Sequence, residues 1–333
     1  MTTPLTTLIE VNDLLGRDHL RSRLEDDVRA GFATTPVSIP PKWFYDERGS
    51  ELFDQITRLR EYYPTEAERQ ALGAAALEIV ELSGADTIVE LGSGSSDKTT
   101  TILDAFAAAG QLARYLPFDV SESAIRSAAV ELQARYPELP IAATVGDFDH
   151  HLAQLPRRGR RLVVFLGGTI GNYSPERRRL LLSDIRDSLA PGDHLLLGTD
   201  LVKEVERLVA AYDDSSGVTA EFNRNVLRVL NNQLGADFDP SAFDHVARWN
   251  ADHEWIEMWL RSSTDQTVTI RDLSLRHHFA AGTSILTEIS AKFRPEGIRR
   301  ELRAAGFEPV RSWTDDNGDF AVTLAACSAA DDR

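Results

Sequence analysis

The residues best suited to chemistry in this 333-residue chain gather at the ends of short apolar runs. Thr87 to Leu91 reads as a buried strand that breaks into Gly92-Ser93-Gly94, with Lys98 opening the Ala/Leu-rich stretch Thr99 to Ala108. Strand, glycine turn and helix aim backbone N–H groups and a helix N-terminus at a ligand, and a Cβ there would hold the ligand away. Two further runs end in acids: Arg114 to Asp119, and Ile141 to Val145 followed by Gly146-Asp147-Phe148. Asp119 lies where a strand-end carboxylate takes ribose hydroxyls. Asp147 and Phe148 suit an adenine, the acid accepting from the exocyclic amine while the ring stacks. Ahead of these runs sit two aromatic-rich loops carrying Trp43, Phe44, Tyr45, Phe53, Tyr62 and Tyr63, of a composition that fits a ligand lid.

The glycine loop discriminates among three ligands. In a dinucleotide fingerprint Asp97 would occupy the third glycine position, spoiling helix packing and repelling a pyrophosphate. In a P-loop the same Asp97 would replace the glycine before Lys98-Thr99. The pattern acidic-x-Gly-x-Gly, here Glu90-Leu91-Gly92-Ser93-Gly94, is the loop of S-adenosylmethionine (SAM) methyltransferases. SAM carries no phosphate and is cationic at sulfur, so an acidic loop suits it. Taken alone the loop also fits an ordinary tight turn, and Lys98 a partner that neutralises Asp97.

The elements that must position these residues alternate. A helix over Glu66–Leu82 precedes the first run, Ser121 caps a helix running to Arg135, and Arg161 to Leu166 forms a fourth strand opening into Gly167-Gly-Thr-Ile-Gly-Asn172. Ser174-Pro175 starts the next helix and His194 to Asp200 is the fifth strand. Repeated βα units predict a parallel, doubly wound α/β sheet with its functional loops at the carboxyl ends. After Asp200 the rhythm breaks: helices over Lys203–Tyr212 and Val218–Leu234 precede strand-like alternation, reading as an inserted lobe. A last helix to Ala305 and a hairpin, Pro309 to Trp313 with Asp319 to Ala326, close the sheet as a class I methyltransferase does, with one antiparallel strand. The expected division is a core over 66–200 and 289–328, and a second lobe over 10–65 and 201–288. For residues 1–33 the expectation is one helix, Asp18 to Gly31, and no chemistry.

A net charge of −16 argues against nucleic acid or an anionic membrane as the main partner, since both require a basic face. Cys327 is the single cysteine, which excludes an intrachain disulfide and fits a reducing cytoplasm. No run reaches membrane-spanning length. His150-His151, His253-Glu254 and His277-His278 fit no standard metal-ligand spacing, so no metal is expected.

The resemblance goes beyond the SAM loop. Pro-Pro-Lys-Trp-Phe-Tyr-Asp46, Gly-Ser-Glu-Leu-Phe-Asp54, Glu-Tyr-Tyr-Pro-Thr65, Glu-Leu-Gly-Ser-Gly94 with Lys98-Thr99, and Phe-Leu-Gly-Gly-Thr-Ile-Gly-Asn172 resemble the histidine-specific Nα-methyltransferases of ergothioneine biosynthesis, from about Pro40 to Leu324. The departures are a glycine, Gly168, where serine also occurs, and a polar tail after Ala326. The resemblance implies a class I fold with a substrate lobe built from the N-terminal segment and the insertion. It also implies SAM as methyl donor, and L-histidine as an acceptor trimethylated to hercynine by a monomer. Gly92, Lys98, Asp119, Asp147, Phe148 and Tyr45 match cofactor positions. Tyr62, Phe53, Gly167, Thr169, Asn172, Tyr212, Met258, Glu288 and Ser290 match the substrate side. Within that set Asn172 holds the amino and carboxylate ends, assisted by Tyr62 and Tyr212, while Glu288 with Ser290 grips the imidazole. Tyr45 and Asn172 are the expected catalytic pair. Aromatic faces at Tyr45, Phe53 and Tyr62 suit a nitrogen that gains fixed positive charge, each cation–π contact contributing about 0.5–2 kcal/mol. The competing readings are a related methyltransferase with another amino-acid or amine acceptor, a non-catalytic SAM-binding module, and, most distant, a NAD-dependent oxidoreductase.

Overall fold

The computed structural model describes residues 8–94 and 98–328, so Asp97 and the last residues of the polar tail lie outside the described residues. In chain order the strands are β1 (Ile9–Asp13), β2 (Val37–Ser38), β3 (Thr87–Leu91), β4 (Arg114–Asp119), β5 (Ile141–Val145), β6 (Arg161–Phe165) and β7 (His194–Asp200). They continue with β8 (Phe243–Asn250), β9 (Trp255–Ser262), β10 (Gln266–Ile270), β11 (Leu275–Phe279), β12 (Ser284–Ala291), β13 (Phe307–Thr314) and β14 (Phe320–Cys327). The main sheet has 8 strands in the order β1-β5-β4-β3-β6-β7-β14-β13. Its members up to β7 run parallel, and β14 enters antiparallel between β7 and β13. Every residue of β3, β6 and β7 is buried, which is why these runs read as continuously apolar: helices cover both faces. This is the doubly wound sheet with a closing hairpin that the sequence implies.

The lobe is a second sheet, β2-β12-β9-β8, with the β10–β11 hairpin and the helix Val218–Leu234 packed against it. One hydrophobic cluster runs unbroken from Ile79 and Ile88 of the core into Leu227, Leu230, Phe243, Leu260 and Ile285 of the lobe. Burying each such side chain contributes about 1.5–3 kcal/mol, so the two units hold each other.

Four expectations change. The one helix expected in residues 1–33 is preceded by a strand, β1, which pairs parallel with β5 at the sheet edge. Its alternation was too short to separate from a loop, and only β5 makes it a strand. The lobe boundaries shift accordingly, because β1 belongs to the core sheet and β12 carries the lobe through Ala291. Of the aromatic-rich segments the first is largely helical, Pro41–Phe44 being a 3-10 turn and Phe53 lying on the helix Glu47–Ile56, while Tyr62 and Tyr63 stay in the connection before the helix Pro64–Ser83. Asp46 caps that helix, accepting from the Gly49 N–H at 2.8 Å. The helix expected to reach Tyr212 is shorter, Val205–Ala210, and leaves Tyr212 buried beyond its end.

Candidate active site

Four parallel strands deliver their carboxyl ends to one edge. After β3, Gly92 and Gly94 adopt φ of +70° and +48°, and a Cβ at either would meet nothing within 4 Å. Packing therefore does not demand glycine here; the left-handed backbone does, and the open space keeps the main chain approachable. The Gly94 N–H donates to Asp119 Oδ2 at 2.9 Å, and the Ser121 N–H to Asp119 Oδ1 at 2.9 Å. Burial raises the Asp119 carboxyl above its ordinary value while these N–H groups pull it back. Asp147 is buried with Lys42 Nζ 3.7 Å away, and Phe148 meets Phe165 edge-on at 5.7 Å. Glu90, the acid of the glycine motif, is turned inward to the hydroxyls of Thr99 and Tyr115. Lys98 pairs with Glu68 at 2.6 Å. The two glycines, the Asp119 and Asp147 carboxylates and Phe148 thus make an open cradle whose donors and acceptors fit a nucleoside with a cationic tail.

Beside this edge is a pocket lined by Tyr45, Phe53, Tyr62, Tyr212, Phe222 and Glu288, with Met258 at its wall. Tyr45 stands 5.5 Å from Phe53 and 5.4 Å from Phe222, Phe53 stands 6.2 Å from Tyr62, and Tyr62 stands 6.2 Å from Tyr212. Their packing is ordered by the insertion: Asn225 Nδ2 of the lobe helix donates to Phe44 O at 3.2 Å and to Asp46 Oδ1 at 2.7 Å, fixing the turn that carries Tyr45. Burial holds the Tyr62 and Tyr212 hydroxyls well above the usual tyrosine range, so both stay protonated donors at neutral pH.

Glu288 enters through a β-bulge. The β12–β9 register shifts between Leu286 and Glu288, which places Glu288 opposite Met258. The intervening Thr287 is buried and tied to Asn223 Oδ1 and to the Met258 carbonyl, at 2.7 and 2.9 Å. Ser290 follows two residues on, on the same face as Glu288. Burial pushes the Glu288 carboxyl up to about 7, against a smaller opposing pull from Lys292. The Asn172 amide, oriented as its surroundings require, donates to Glu288 Oε1 and to the Ile289 carbonyl, both at 3.3 Å. Thus Asn172, at the end of the 3-10 turn Thr169–Asn172 after β6, joins the acid from the lobe. Gly167 and Thr169 are in the same loop: the Gly167 N–H donates to Glu68, and the Thr169 hydroxyl donates to Leu166 O at 3.1 Å.

Residue-by-residue reading missed a buried charge network behind the pocket. The Tyr212 hydroxyl lies 2.7 Å from Ser290 Oγ, and Lys292 Nζ donates to both, each at 2.9 Å. Lys292 pairs with Asp200 at 2.9 Å, and Lys203 Nζ donates to Asp200 Oδ1 at 2.5 Å and to the Tyr63 hydroxyl oxygen at 2.7 Å. Phe222 and Glu68 were missed too. The short-range pairs Lys292–Ser290 and Lys203–Asp200 carry no signature of their own, and the partners that assemble the network, Tyr212, Tyr63 and Lys98, lie 30 to 140 positions away.

The sequence profile described as "Histidine-specific methyltransferase, SAM-dependent" matches residues 24–327. The histidine N-alpha-methyltransferase of Mycolicibacterium smegmatis is 55% identical over 317 residues, covering 95% of this chain and 99% of that protein. The protein of the same name from Mycobacterium tuberculosis is 54% identical over 318 residues, covering 96% and 99%. Ergothioneine biosynthesis protein 1 of Neurospora crassa is 30% identical over 301 residues, covering 88% of this chain and 33% of that longer protein.

Proposed function

Because the chain belongs to the histidine-specific, SAM-dependent methyltransferase family, we propose that it methylates the α-amino nitrogen of L-histidine three times, yielding hercynine for ergothioneine biosynthesis. The observation that carries the choice of acceptor is a single titratable carboxylate, Glu288, set among aromatic rings beside Asn172. An ionised Glu288 accepts an imidazole N–H, whereas leucine or phenylalanine would leave it buried and unpaired. Asn172, with the protonated Tyr62 and Tyr212 hydroxyls, serves the amino and carboxylate ends, and Ser290 assists Glu288.

SAM supplies an electrophilic methyl group; Gly92, Lys98, Asp119, Asp147, Phe148 and Tyr45 are the residues that would hold it. The chain's own contribution is chiefly positioning of a neutral amine. Tyr45, Phe53, Tyr62 and Phe222 offer ring faces to the nitrogen as its charge becomes permanent. The Tyr45 side chain is 41% exposed, yet desolvation of its hydroxyl among the packed rings, and next Glu288, holds it above the ordinary tyrosine range, so it acts as a phenol that orients the amine or a water. A Tyr45→Phe variant should lose rate at every pH; parent rates across the pH range would remove that role. The proposed site residues all come from this chain, which supports our reading of a monomer in the cytoplasm, where SAM and histidine are metabolites.

The test is incubation with SAM and an equimolar mixture of the twenty amino acids, read by mass spectrometry. Histidine gaining three methyl groups, the others unchanged, is the expected result. Methylation of a different amino acid would overturn the reading of Glu288, and no methylation with SAM bound would overturn the activity.

A further inference from the structure

Glu68 lies in the first turns of the helix Pro64–Ser83, fully buried, on what reads in the sequence as an ordinary amphipathic surface. Its carboxylate serves two loops at once. Lys98 Nζ lies 2.6 Å from Oε2, at the end of the glycine loop that follows β3. The Gly167 N–H donates to Oε1 at 2.8 Å and Oε2 at 3.0 Å, at the start of the loop that ends in Asn172. The sheet is shaped around this group: a Cβ on Gly198, inside β7, would stand 2.3 Å from Glu68 Oε1. Glycine within a central strand forgoes side-chain packing, and here the vacated volume is taken by the carboxylate. An ion pair that only fastened the helix to the sheet would need one of these loops, not both.

We propose that Glu68 is a positioning residue that couples the two halves of the site, so that a ligand at Lys98 presets the Gly167–Asn172 loop for the amino-acid substrate. By linkage the amino acid must favour the cofactor side by the same factor. The inference rests on the proposed assignment of Lys98 to SAM and Asn172 to histidine.

Calorimetry with S-adenosylhomocysteine, which cannot turn over, separates the two ideas. In the parent protein saturating L-histidine should tighten S-adenosylhomocysteine about 5–50-fold. Glu68→Gln should bind both ligands with that ratio reduced to about 1, and Lys98→Met, which also weakens S-adenosylhomocysteine directly, should show the same loss of ratio. The Glu68→Gln/Lys98→Met double variant should lose nothing further. If Glu68→Gln does not fold, Gly198→Ala, which keeps the charge but crowds the carboxylate, is read in the same way. A parent protein that binds neither ligand would overturn the site assignment. One that binds both independently, or a Glu68→Gln variant that keeps the parent ratio, would overturn the coupling. A purely structural Glu68 would lower the melting temperature and leave the ratio untouched.

Discussion

Glu288 answers two opposed demands. Accepting an imidazole N–H requires the ionised form, while its surroundings favour the neutral one and raise its pKa from the ordinary 4.5 to about 7. Its folded pKa is raised, so the stability that the neutral acid contributes is complete below about pH 4.5 and is lost as pH rises through about 7. Glu288→Gln should therefore be more stable than the parent at pH 8, by about 1–2 kcal/mol once partial exposure is discounted. The two should converge near pH 4.5. Thermal unfolding at both pH values checks this; a gap that does not change with pH would reject it. The same variant should lose roughly 10–100-fold in kcat/KM for histidine, the worth of one charge-assisted hydrogen bond. Lys292→Met removes the cation that restrains Glu288 and leaves Asp200 with Lys203. The acid limb of its kcat/KM profile should move up by about one pH unit. A limb that stays in place would make Lys292 structural only.

Individual elements act by holding side chains that other elements use. The helix Glu47–Ile56 brings Phe53 to Tyr45 only because Gly49 lets its backbone pass Phe44: a Cβ on Gly49 would sit 1.7 Å from the Phe44 carbonyl oxygen. Gly49→Ala should destabilise the protein by about 1–3 kcal/mol and raise the histidine KM, as read by urea unfolding and steady-state kinetics. Parent values in both would mean that the helix is not constrained there. The sequence shows Gly49 and the aromatics around it as a motif, but the partner is a carbonyl whose position depends on the turn before it. Likewise the extended pattern around Glu288 is legible, whereas the bulge that turns it toward Met258 depends on β9. Short elements such as β1 and the 3-10 turn Pro41–Phe44 carry too few residues for periodicity to identify them.

At the scale of the molecule, the continuous cluster from Ile79 to Ile285 joins the apolar interior of the lobe to one face of the core sheet, while a second cluster around Val89, Val163 and Leu197 fills the other face. Unfolding should be one cooperative transition. Four of the five tryptophans, Trp43, Trp249, Trp255 and Trp259, lie in the lobe, so fluorescence of a Trp313→Phe variant reports it, and its urea midpoint should coincide with that of far-UV circular dichroism. Two separated midpoints would show independent units. The sequence by itself determined the βα alternation, the glycine loop, the strand-end acids Asp119 and Asp147, and the class of cofactor, because each depends on neighbours within one strand–turn–helix unit. The tertiary structure alone decided that Asn172 meets Glu288, that Lys292 stands behind Tyr212 and Ser290, and that Glu68 joins Lys98 to Gly167. Apart from Lys292 and Ser290, which are neighbours on one strand, those contacts join residues from 30 positions apart (Glu68 and Lys98) to 116 (Asn172 and Glu288), and their geometry exists only once sheet order, bulge register and the docking of the insertion are set.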